Sequence, residues 1–124
     1  CYKERKKANE IGQMKVLGEV TEKNVVIIDD MVDTAGTLTK AADLMIENGA
    51  STVRAYCTHG VLSGNAYNRI EKSKISELVI TNTIPKSHNS LKVREVSVAD
   101  FLANTIQSVV SNTSISATWK SNNA

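Results

Sequence analysis

The stretch VVIIDDMVDTAGT, Val25 to Thr37, constrains the fold of this chain more than any other. Four β-favouring apolar residues, Val25, Val26, Ile27 and Ile28, run directly into two adjacent acids, Asp29 and Asp30. A turn of small and hydroxyl residues follows, Asp33-Thr34-Ala35-Gly36-Thr37. The pattern reads as a buried strand ending at a polar loop. Beyond it, Leu38, Ala41, Ala42, Met45 and Ile46 recur at helical spacing as far as Asn48, so the loop lies between a strand and the start of a helix. Asn48-Gly49 closes that helix, the glycine supplying a left-handed cap.

A helix start presents unpaired backbone N–H groups and the positive end of the helix dipole, which suits an anion such as a phosphate. The Thr34 and Thr37 hydroxyls, with the Ala35 and Gly36 amides, can donate to phosphate oxygens, and Gly36 has no side chain to block a close approach. The carboxylates of Asp29 and Asp30 can instead accept hydrogen bonds from vicinal hydroxyls. Together the two halves describe a phosphorylated sugar, its phosphate in the loop and its hydroxyls at the acids. The competing description is a strand-turn-helix with a Thr or Asp cap and no ligand.

The remaining segments fit a single α/β domain. At 124 residues the chain can bury a substantial core. Strand patterns fall at Gln13–Val20, Thr52–Cys57, Glu77–Thr81 and Lys92–Val96. Helix patterns fall at 63–72, with Ser63 as N-cap, and after Ser97 or Asp100, with Phe101, Leu102, Ile106 and Val109 on the apolar side. The order argues a mostly parallel sheet flanked by helices. Ligands in such sheets bind beyond the carboxyl ends of the strands, where Asp29, Asp30 and His59 fall. His59 is either a site residue or a hydrogen-bonded structural histidine, and the sequence leaves both open. Asn82 to Leu91, with Pro85, reads as a surface connection that exposes Lys86 and His88.

Charge and cysteine content narrow the setting. A net charge of +2 is too small to argue for nucleic acid, and none is expected as a partner. Cys1 and Cys57 lack metal-ligand spacing and imply no disulfide, and no apolar run approaches the length of a membrane span, so a reduced cytoplasm is the expected compartment. The chain opens on Cys and in mid-pattern, which reads as a piece of a longer protein. Residues 1–12, with Lys3, Arg5, Lys6 and Lys7, read as a mobile loop able to close over a polyphosphate.

The whole Val25–Thr37 stretch resembles the phosphoribosyl-pyrophosphate signature of type I phosphoribosyltransferases and ribose-phosphate diphosphokinases. Cys57-Thr58-His59-Gly60-Val61-Leu62-Ser63-Gly64 resembles the C-T-H-x-V-L-S-G segment of the diphosphokinases, and Val79 to Pro85 and Val96 to Ala99 are similar to the segments that follow. The resemblance covers essentially the whole chain, as that family's C-terminal domain with a type I phosphoribosyltransferase-like fold.

What the resemblance implies is the transfer of the β,γ-diphosphoryl group of ATP to the 1-hydroxyl of ribose 5-phosphate, with Mg2+, giving phosphoribosyl pyrophosphate and AMP. It assigns Asp29 and Asp30 to the ribose hydroxyls. It gives Asp33, Thr34, Ala35, Gly36 and Thr37 to the 5-phosphate. Lys3 and Arg5 match the catalytic basic residues of the family's flexible loop, with Glu4 where the family usually has Arg. Ser114-Ile115-Ser116 is similar to a Ser-Val-Ser segment that binds a regulatory phosphate or ADP, although Ala117-Thr118-Trp119 departs from what commonly follows it. A Ser-rich tail over 113–124 is the other account.

The ATP face and most magnesium ligands belong, by the resemblance, to the family's N-terminal domain and a neighbouring subunit. The expectations are a chain that binds ribose 5-phosphate without catalysing transfer alone, and a full-length hexamer. The alternatives are a phosphoribosyltransferase domain and a non-catalytic regulatory homologue of the synthetase.

Overall fold

In the computed structural model of the chain, residues 2–7 and 10–117 are described, with side chains described from residue 14 onward. Two strands come first, β1 (Tyr2–Lys7) and β2 (Glu10–Lys15), paired antiparallel. Then follow β3 (Asn24–Val32), α1 (Gly36–Glu47), β4 (Thr52–Gly60), α2 (Ala66–Lys72), β5 (Ile75–Thr81), β6 (Val93–Val96) and α3 (Ala99–Val110). β3 to β6 form one parallel sheet in chain order. This is the α/β architecture expected.

The strand order explains which face of the sheet is covered. Each strand is added on the same side of the last, and right-handed crossovers then place the intervening helices on one face. The core lies there. Val53, Ala55 and Cys57 of β4 and Leu78 and Ile80 of β5 pack against Leu38, Ala42 and Met45 of α1 and against Ala66 and Ile70 of α2. The alternate residues point to the open face, where Val26 is 52% and Ile28 is 82% exposed. The all-apolar run Val25–Ile28 reads from sequence as a strand buried on both sides. In the structure only Val25 and Ile27 meet the core.

The end of α1 follows the expected chemistry. Gly49 has φ 92°, its N–H donates to the Ile46 carbonyl at 2.9 Å, and the Ala50 N–H donates to Met45 at 3.0 Å. These two bonds form the Schellman pattern.

Several other expectations need correction. Residues 2–7, expected to be part of a loop, form β1, and the strand expected at Gln13–Val20 lies earlier, at Glu10–Lys15. Backbone pairing carries this ribbon, and a charged, weakly alternating sequence does not reveal such pairing. α2 begins at Ala66 without Ser63 as its cap, because the Ser63 hydroxyl donates to Asp33 instead. Lys86 is half-buried, its ammonium on the Val93 carbonyl at 3.3 Å. On α3 the apolar residues Leu102, Ile106 and Val109 are exposed. Periodicity marks which side of a helix is apolar but not what covers it.

The start of α3 is held mainly from the β5–β6 connection. The Asn82 carboxamide oxygen accepts the Val98 N–H at 2.9 Å, and the Ser97 hydroxyl accepts the Ala99 N–H at 3.2 Å from one residue before the cap position.

Candidate functional site

A cleft of about 330 Å³ opens where β3 gives way to α1, and it is lined by the contiguous run Asp29 to Leu38. All seven residues expected to hold a sugar phosphate therefore line one cleft: Asp29, Asp30, Asp33, Thr34, Ala35, Gly36 and Thr37. The two acids do not end the strand, as the sequence suggested, because β3 continues to Val32. Successive strand residues point to opposite faces, so Asp29 and Asp30 approach the cleft from the two sides of β3. The Asp29 carboxylate accepts the Asp30 N–H at 2.9 Å. Among the described residues the Asp30 carboxylate accepts no hydrogen bond, and it is exposed.

The helix start opposite the acids is unguarded. The residue at the cap position is Ala35, which no side-chain hydrogen bond caps, and no acid stands in the first turn of α1. The Thr39 hydroxyl turns inward to the Ala35 carbonyl at 2.9 Å. The Thr or Asp cap of the competing description is therefore absent at this helix start. The first N–H groups of α1 keep their donor capacity, and the positive end of the dipole has no carboxylate of its own to offset it. Gly36 is not demanded by packing. A Cβ there would meet only Arg69 Nη1 at 3.7 Å and Thr34 Oγ1 at 3.9 Å.

The loop is held in a strained shape. Ala35 sits at φ 60° and the facing Leu62 at φ 50°, left-handed conformations that residues with a Cβ rarely adopt. Such strain persists only where surrounding contacts over-determine it. Three contacts reach the loop from the segment after β4. The Leu62 N–H donates to the Val32 carbonyl at 3.1 Å, the Ser63 hydroxyl donates to the Asp33 carboxylate, and Arg69 Nη1 donates to the Thr34 carbonyl at 2.9 Å. With its carboxylate occupied in this way, Asp33 can offer an anion its backbone.

Sequence reasoning missed the roles of Ser63 and Arg69 at this loop. Ser63 stood in a motif already singled out, but Arg69 carried no local signal, because its partner is 35 residues away.

His59 has the hydrogen-bond partner that the structural description requires. Its Nδ1 lies 2.8 Å from the Thr83 hydroxyl, which with the Thr81 hydroxyl gathers on the Thr58 carbonyl at 3.1 and 2.7 Å. This network ties the carboxyl ends of β4 and β5 together. Cys57 lies in the core, 3.2 Å from the His59 carbonyl oxygen, and burial pushes its thiol pKa up. It is therefore a poor nucleophile at neutral pH.

Cys1, Trp119 and the side chains of Lys3, Glu4 and Arg5 lie outside the described residues; the backbone of residues 3–5 runs in β1. Ser114 and Ser116 are exposed just beyond α3. Among the described residues no three His, Cys, Asp or Glu side chains cluster to hold a metal ion, and no helix is long and apolar enough to cross a membrane.

Comparison with known proteins agrees with this fold. The family described as the phosphoribosyl synthetase-associated domain matches residues 4–120, nearly the whole chain. The chain belongs to that family. Relatives of this phosphoribosyl synthetase-associated domain include the ribose-phosphate pyrophosphokinase of Porphyromonas gingivalis, 48% identical over 119 residues. Ribose-phosphate pyrophosphokinase 3 of Saccharomyces cerevisiae is 44% identical over 122 residues. In each case the domain is matched over 96% of its length and covers 38% of the relative. The crystal structure of phosphoribosylpyrophosphate synthetase from Mycobacterium smegmatis superposes with a TM-score of 0.76 at 37% identity, over 86% of this chain and 35% of that one. The fold is thus that of a synthetase domain, type I phosphoribosyltransferase-like. The chain spans little more than a third of the length of these relatives.

Proposed function

We propose that this domain is the ribose-5-phosphate-binding part of a ribose-phosphate diphosphokinase. The observation that carries the reading is the uncapped, acid-free start of α1, which shares one cleft with the exposed carboxylates of Asp29 and Asp30. Donors for a phosphate and acceptors for a diol lie at opposite ends of one short run of chain. The phosphate binds on the loop Asp33 to Thr37 and the ribose hydroxyls on the two acids.

In the complete enzyme the β,γ-diphosphoryl group of ATP passes to the 1-hydroxyl of the bound sugar, giving phosphoribosyl pyrophosphate and AMP. Lys3 and Arg5 are the catalytic candidates of this chain, cationic residues of a kind that can neutralise charge on the transferred group. Mg2+ enters with ATP, held mainly outside this chain; an ion bound through substrate phosphates and water needs few protein ligands. The isolated domain binds the sugar phosphate but does not catalyse transfer. Ser114 and Ser116 are the candidates for a regulatory phosphate or ADP site. The exposed apolar residues of α3 and of the open sheet face support a homo-oligomer; a hexamer at full length and a cytoplasmic setting are the remaining parts of the reading. The names of the relatives favour the synthetase over a phosphoribosyltransferase or a silent homologue.

Thermal unfolding of the chain tests this reading. Ribose 5-phosphate at about a hundred times its dissociation constant is expected to add about 2.7 kcal/mol of stability. Ribose and inorganic phosphate at equal concentration are expected to add much less. Equal stabilisation by inorganic phosphate would reduce the site to a general anion cradle, and none by any of the three would remove the reading.

A further inference from the structure

We propose that Arg69 is a positioning residue for the phosphate loop, with Ser63 as a second brace. The proposal rests on the ribose 5-phosphate reading and deepens it by naming what sets the loop. Arg69 is exposed on α2, yet its Nη1 donates to the Thr34 carbonyl at 2.9 Å and would lie 3.7 Å from a Cβ on Gly36. The guanidinium therefore rests against the backbone of the loop itself. Among the described residues it has no carboxylate partner, whereas Arg94 pairs with Glu77 at 2.6 Å.

Peptide geometry shows what this bond does. In a trans peptide the C=O and the next N–H point in opposite directions across one plane. Fixing the Thr34 carbonyl on Arg69 thus turns the Ala35 N–H away from the guanidinium. It also keeps a carbonyl oxygen, which would repel an anion, from swinging into the cleft. The same bond supports the left-handed backbone of Ala35 at φ 60°, a conformation that residues with a Cβ rarely adopt without such support. Ser63 fixes the other side of the turn through the Asp33 carboxylate, drawing that negative group toward its own hydroxyl. Arg is suited to the task, because one N–H of its rigid fork can hold the carbonyl while the charge stays beside the loop.

The test is calorimetric titration of the 124-residue chain with ribose 5-phosphate at low ionic strength, with unfolding temperature measured alongside. Arg69→Met is expected to weaken binding about tenfold, equivalent to about 1.4 kcal/mol, with little change in unfolding temperature. Arg69→Lys, which keeps the charge and a donor, is expected to recover part of the loss. Lys72→Met, a charge control on the same helix, is expected to bind like the parent chain.

Parent-like affinity in Arg69→Met would overturn the proposal. So would an equal loss in Lys72→Met, which would reduce the effect to distant charge, or a lowered unfolding temperature at unchanged affinity, which would make Arg69 structural only. Should Arg69→Met fail to fold, Ser63→Ala carries the test, with an expected loss of about threefold; unchanged affinity there overturns the brace. An unmodified chain that binds no ribose 5-phosphate overturns the underlying reading and this one with it, whereas binding that survives every variant overturns this one alone.

Discussion

Asp30→Ala is expected to lower the affinity of the folded chain for ribose 5-phosphate about ten- to a hundredfold, because a hydrogen bond to a charged group contributes about 1.5–3 kcal/mol. Affinity for inorganic phosphate should hardly change. The reason is the division of labour along one strand. Asp29 spends part of its carboxylate on the Asp30 N–H, while the Asp30 carboxylate is exposed and accepts no hydrogen bond among the described residues. Its removal breaks no contact of the fold, so stability should stay within about 0.5 kcal/mol. Titration with both ligands checks this, and unchanged sugar-phosphate affinity would move the ribose elsewhere.

Leu78→Ala is expected to do the opposite, destabilising the domain by about 2–5 kcal/mol. Leu78 is 0% exposed at the centre of β5, and its N–H donates to the Lys92 carbonyl at 2.7 Å, where β6 begins to pair. The cavity left behind would lie within the core that α1 and α2 close, and the neighbouring β-branched residues Val53, Ile75 and Ile80 have little freedom to collapse into it. Because the core also supports β3 and the start of α1, sugar-phosphate binding should weaken through loss of folded protein, not through loss of intrinsic affinity. Urea unfolding with and without ligand separates these two. A midpoint close to that of the parent chain would mean that β5 is not the centre of the core.

The candidate cleft was legible in the sequence because its lining is local. Asp29 to Thr37 lie within a few residues of one another, and a strand pattern before them and a helical pattern after them fix where the loop must be. The Schellman end of α1 was legible for the same reason, since Asn48-Gly49 carries its own backbone preference.

What escaped was made by distant partners. Ser63 looked like a helix cap because nothing near it in sequence reveals Asp33, thirty residues earlier. Arg69 carried no local signal for a similar reason. The run Val25–Ile28 was apolar on both faces, and only the one-way order of β3 to β6 shows why helices cover a single face. The hydrogen-bond partner of His59 emerged only once the chain brought Thr81 and Thr83 beside it.

The central claim is that one run of chain holds phosphate at a helix start and sugar hydroxyls at two carboxylates. The most direct measurement is amide NMR of the isotopically labelled chain during titration with inorganic phosphate and then with ribose 5-phosphate. The account predicts that phosphate alone perturbs the amides of Thr34 to Thr37, and that ribose 5-phosphate perturbs the same amides more strongly and adds Asp29 and Asp30. Perturbations centred on another surface, or ribose 5-phosphate shifts that leave Asp29 and Asp30 unmoved, would contradict it.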